Sequence, residues 1–192
     1  MIILIYGIYR NVRDAAWLCL RDYHVDRLPV SVSAISRAAG IKVIKNSAVG
    51  ELQPSESGIS YYDGENWYVI YDDENTIERS RFTVAHEIGH VFLGHDLKKG
   101  YHTRTRTFDV RPAIEREADM FAARLLCPAC VLWGLDIHTA DDIARVCRVS
   151  HTVAKIRAER MDVLYRRGKF LTNPLEREVY ENFEGFVKSI RA

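Results

Sequence analysis

A run from Arg81 to His95, RFTVAHEIGHVFLGH, constrains this chain more than any other stretch. Within it His86-Glu87-Ile88-Gly89-His90 has the H-E-x-x-H spacing of zinc-dependent hydrolases. Two imidazoles share one ion only if their ring nitrogens converge to bonds of about 2.0–2.1 Å. On an α-helix, at about 3.6 residues per turn, residues four apart lie roughly 40° apart on one face. On a helix this spacing therefore puts both rings on one face. Glu87, one step round, reaches the space beside the ion without ligating it. Phe82, Ala85, Ile88 with Gly89, and Phe92 recur at helical spacing. Thr76 or Asn75 can cap the start, and Glu78 falls in the first turn.

Two histidines leave such a site one ligand short. Ile114 to Leu126, IEREADMFAARLL, reads as a helix with Pro112 at its first turn. Two of its glutamates, Glu115 and Glu117, compete for the third position. Glu115, Asp119, Ala122 and Leu126 share one face by their spacing. Glu117 points about 200° away, alongside Phe121 and Arg124. Helical geometry therefore favours Glu115, and Asp119, one turn on, can hold the outer nitrogen of a ligating histidine.

Together, RFTVAHEIGHVFLGH and EREADMFAARLLCP resemble the ImmA/IrrE family of metallopeptidases of bacteria and their mobile elements. The likeness is carried by Arg81 to Pro128. NVRDAAWLCL through GIKVI, and WYVIYDD, are similar to the family's usual lead-in. It implies an α+β, mainly helical, zincin-like peptidase with a small sheet or hairpin packed on the H-E-x-x-H helix. Its substrate would be a cytoplasmic helix-turn-helix repressor, which it cleaves or inactivates. Cys127 stands where methionine is more usual in the family. Some members also carry a helix-turn-helix domain ahead of the peptidase, and none is read here.

Composition narrows the alternatives. A net charge of +1 gives no whole-protein electrostatic case for nucleic acid or membrane. No apolar run approaches the roughly 20 residues of a membrane span, and MIILIYGIYR is too short and lacks the basic lead of a secretory signal. Four cysteines (Cys19, Cys127, Cys130 and Cys147) make no disulfide scaffold in 192 residues. A cytoplasmic protein is expected, with residues 1–135 forming the peptidase core and 136–192 a helical region packed on it.

In chain order, Met1 to Tyr6 reads as a strand. A helix follows from Asn11, with Val12, Ala15, Ala16, Cys19 and Leu20 on one face. Val32 to Ala39 reads as a short helix closed by Gly40, Ile41 to Ile44 as a strand, and Asn46 to Ser60 as a loop. Ile59–Tyr62 and Trp67–Tyr71 flank Asp63-Gly64-Glu65-Asn66, a hairpin signal. An edge strand of that hairpin can hold an extended peptide beside the metal helix. Asp96 to Ala113 is expected to be a basic loop over the site, with Tyr101, His102 or Arg104 as candidate oxyanion supports. His95, five residues past His90, falls off the metal face and reads as structural.

Cys127-Pro128-Ala129-Cys130 has the spacing of half a zinc knuckle, which Cys147 and His151 could complete only if both converged on it. Buried thiols are the simpler reading. Thr139-Ala140-Asp141-Asp142 opens a helix, and DIARVCRVSHTVAKIRAER reads helix, turn near Val149-Ser150, helix. Residues 139–169 carry eight Lys/Arg against four Asp/Glu, a net +4. A DNA reader would use Arg148, Lys155 and Arg157 there, but packing or substrate recognition is the preferred role and direct DNA binding is not expected. Finally, Asn173-Pro174 caps a helix with Leu175, Val179, Phe183, Phe186 and Ile190 as its apolar stripe.

The sequence thus points to a zinc endopeptidase: His86, His90 and Glu115 hold Zn²⁺, Glu87 is the general base, and Asp119 orients a ligand. A metal-stabilised anti-repressor that binds without cutting, and a DNA-binding regulator acting through 139–169, are the competing readings. The first would make Glu87 dispensable; the second would bind DNA with strong salt dependence. The substrate's identity and the oligomeric state are not encoded in these patterns.

Overall fold

The computed structural model describes residues 12–95 and 113–191. The expected strand at Met1–Tyr6, the basic loop at 96–112 and its candidates Tyr101, His102 and Arg104 lie outside the described residues. No described helix is long and apolar enough to cross a membrane. Two compact units are present: residues 12–15, 32–95 and 113–122 form one, and 16–31 with 123–191 the other.

Helix α1, Val12–Asp22, has Ala15 to Leu20 buried without a break. The first unit then carries α2 (Val32–Ala38), β1 (Ile41–Lys45), α3 (Asn46–Val49), β2 (Gly58–Tyr62), β3 (Trp67–Tyr71) and α4 (Ile77–Leu93). The sheet order is β1-β3-β2, with β1 parallel and β2 antiparallel to β3. The β2–β3 hairpin turns where Asp63 Oδ1 accepts from the Glu65 and Asn66 N–H groups, both at 2.8 Å. That side-chain bond stands in for a backbone one and fixes the turn. Central β3 buries adjacent residues, Val69 and Ile70, which point to opposite faces. Both faces are therefore covered, and α4 packs against β2 and β3. The segment read as loop from Asn46 begins instead as the four-residue α3, closed by Gly50. The fold is mainly helical α+β with a small sheet on the H-E-x-x-H helix, as the sequence predicted.

The chain leaves the first unit within α5, Ala113–Leu126. The second unit continues through α6 (Ala129–Gly134), α7 (Ala140–Cys147), α8 (His151–Arg166) and α9 (Pro174–Arg191). The Thr139 and Ser150 side chains cap α7 and α8 by accepting from the Asp142 and Val153 N–H groups. On α8 the buried positions are Ala154, Arg157 and Met161, spaced three and four apart. Arg157 is thus on the core face, which corrects its place among the contacts of the DNA-binding alternative. On α9, Val179, Phe183 and Val187 are buried, whereas Ile190 in the last turn is 63% exposed. The apolar stripe stops one turn before the helix does.

Candidate metal centre

Thr76 caps α4 by accepting from the Arg79 N–H, and Glu78 in the first turn complements the positive end of the helix dipole. Every residue from Thr83 to His90 is buried. Polar side chains in such a run must find partners inside the protein. Gly89 lets α5 come close, since a Cβ there would stand 3.0 Å from the Phe121 ring. The helix closes at Gly94, whose φ of 67° turns its N–H onto the carbonyls of His90 and Val91. The next N–H, of His95, also returns to the His90 carbonyl, at 3.1 Å.

α4 presents His86 and His90, and α5 presents Glu115, to one point. The two Nε2 atoms are 3.1 Å apart; Glu115 Oε1 is 3.2 Å from His90 Nε2, and Oε2 is 3.4 Å from His86 Nε2. Bonds of about 2.0–2.1 Å in a tetrahedral array separate ligand atoms by roughly 3.3–3.4 Å. Two imidazoles and one carboxylate at these separations fit a small divalent ion, with one position left over. Among the described residues this trio is the group able to hold a metal. All three side chains are at most 1% exposed.

The electrostatics show what an ion would replace. Burial opposes a charge on His86, but its contacts with Asp119 and Glu115 outweigh that and raise the ring to about 9. Burial likewise works against an ionised Glu115, yet the two histidines hold it well below the usual carboxylate range. In the metal-free protein a proton on His86 therefore supplies the positive charge that the carboxylates face.

Around the trio lie three kinds of support. Asp119 Oδ1 is 2.8 Å from His86 Nδ1, the nitrogen facing away from the trio. Ser60 on β2 donates its hydroxyl proton to Glu87 Oε2 at 2.9 Å. Glu87 is 1% exposed, and its other oxygen, Oε1, is buried with no hydrogen-bond partner among the described residues. On the far side, His95 Nδ1 is 2.8 Å from His90 Nδ1, and His95 Nε2 is 3.1 Å from Glu117 Oε2. Burial, reinforced by the neighbouring His90, holds His95 below the usual imidazole range despite Glu117.

The structure therefore brings His86, Glu87, His90, Glu115 and Asp119 together. His95 is not part of the converging trio; Gly94 ends the helix and turns the next residue back, so that His95 meets His90 and Glu117. Glu117 points away from the trio, and its Oε2 meets His95. Ser60 was missed as well; its place one residue along from Ile59, on the opposite face of the strand, is the available signal.

No curated protein matches the chain. Residues 37–159 match the peptidase M78 family, described as the IrrE N-terminal-like domain. That match spans most of the chain and includes both helices of the His-His-Glu cluster, and on it the chain belongs to this metallopeptidase family.

Proposed function

We propose that the protein is a zinc-dependent endopeptidase whose substrate is a cytoplasmic helix-turn-helix repressor. His86, His90 and Glu115 hold the zinc, Glu87 is the general base, and Asp119 orients His86. The observation that carries the reading is the pairing of a tetrahedral donor set with a buried carboxylate that has one oxygen committed and one available. The ligand distances favour zinc over calcium, whose bonds of about 2.3–2.6 Å need a wider, oxygen-rich cage. The repressor substrate rests on the family resemblance.

Zinc, when bound, supplies Lewis acidity towards a water and a peptide carbonyl. Ser60 holds Glu87 Oε2, leaving Oε1 to accept the water's proton. Glu87 then passes that proton to the departing amine. Among the described residues β2 lies at an edge of the sheet, and it carries Ser60, so a peptide added along it would run past Glu87.

Glu87→Gln tests this reading. It removes the base but no ligand, so zinc content and repressor binding survive while cleavage falls by about 10²–10⁴-fold. The readouts are a cleavage assay on purified repressor, a pull-down and a zinc measurement. If Glu87→Gln relieves repression as well as the parent, and neither yields fragments, the protein works as a binder and the peptidase assignment fails.

A further inference from the structure

We propose that His95 and Glu117 are positioning residues that form a hydrogen-bonded relay fixing the orientation and tautomer of His90. The inference rests on His90 being a metal ligand through Nε2. His90 Nε2 faces His86 and Glu115 at 3.1 and 3.2 Å. A ligating imidazole gives its lone pair to the metal from that nitrogen, so its proton must sit on Nδ1. His90 Nδ1 lies 2.8 Å from His95 Nδ1. Two ring nitrogens at that distance share one proton, so His90 donates and His95 accepts. His95 must then carry its own proton on Nε2, 3.1 Å from Glu117 Oε2. A carboxylate accepts there. Each donor and acceptor along Glu117–His95–His90 follows from the one before.

The two zinc-facing histidines are thus braced differently. His86 meets a carboxylate directly, through Asp119 at 2.8 Å. His90 meets one through an intervening ring. His95 is nearly enclosed, with 7% of its side chain exposed, while 45% of Glu117 is open to solvent. The brace therefore runs from the buried site to the surface. Partners that orient a metal-ligating histidine are commonly worth about 10–100-fold in metal affinity. His95 itself is not a member of the converging group and is assigned no bond to zinc.

The test uses zinc-loaded protein, with ring tautomers read by long-range proton–nitrogen NMR and zinc affinity by competition with a chromogenic chelator. His95 should be neutral, protonated on Nε2 and bare on Nδ1. Finding its proton on Nδ1, or on both nitrogens, overturns the proposal, because His90 could then not donate. His95→Phe should weaken zinc binding by about 10–100-fold, and His95→Gln should recover part of the loss, since its amide oxygen can accept from His90. Glu117→Ala, at an exposed side chain, should weaken zinc less than His95→Phe and broaden the His95 signals. Equal zinc affinity in the parent, His95→Phe and Glu117→Ala also overturns it. His90→Ala separates the two readings: if that variant keeps its zinc, the metal assignment itself has failed, whereas loss there with no effect at 95 and 117 defeats only the relay.

Discussion

Two sets of ligand-type residues stand out in this chain, and the structure treats them in opposite ways. His86, His90 and Glu115 converge to within 3.4 Å of one another. Cys127, Cys130 and Cys147 are equally buried, but they form no such convergent group among the described residues. His151, which could have completed a knuckle, is exposed and faces Asp141 at 3.1 Å. The thiols lie instead near the guanidinium of Arg157, and burial pushes Cys130 up to about 12. A thiol must lose its proton to ligate. Burial alone therefore does not make a site: the histidines are buried with carboxylates that organise them, the cysteines in surroundings that keep Cys130 a thiol.

The sharpest contrast should come from deleting one member of each set. His86→Ala should abolish zinc binding and cleavage and lower the melting temperature, because metal binding energy is also folding energy. Metal analysis, the cleavage assay and calorimetry read all three; full zinc occupancy in the variant would break the distinction.

Proton release is the next measure. His86 stands at about 9 in the metal-free protein, and the metal needs the neutral ring. Loading zinc at about pH 7.5 should release close to one proton from His86, and affinity should rise by about tenfold per pH unit until about pH 9. Calorimetry in two buffers of different ionisation enthalpy measures this; no release would remove the charge exchange inferred at the site. The same shift has a stability sign. Its folded value exceeds the unfolded one, so the His86 contribution in metal-free protein is complete below about pH 6.5 and lost as pH rises through about 9.

The smallest effect belongs to the thiols. Cys130→Ala should cost about 1–2 kcal/mol for the lost packing, and zinc stoichiometry should stay at the parent value. Loss of zinc in that variant would make the cysteines a second centre after all.

Much of this was readable from residue order. The period of α4, its Thr76 cap, the Asp63 turn and the phase of Glu115 against Glu117 are local, and local rules place them. Three features were not. Parallel pairing of β1 with β3 joins residues far apart in sequence, with no turn chemistry to announce it. Helical phase keeps His95 out of the metal group but does not place its contacts with His90 and Glu117, because Gly94 adopts a left-handed conformation before it. Arg157 carries a charge that suggests the surface, whereas its spacing from Ala154 and Met161 marks the core face.

At Gly89 the two helices that carry the trio come close together. His86 and His90 belong to one rigid helix, so their separation is set by the α-helical repeat. Glu115 rides on another helix, and its distance depends on how near α5 comes to α4. The Phe121 ring packs over bare Gly89, where a Cβ would stand only 3.0 Å from it, so the absent side chain is what allows this approach. A larger residue at position 89 would have to displace the Phe121 ring or the helix that carries it. The missing side chain thus matters for how two helices meet beside the site, although glycine itself offers no ligand atom.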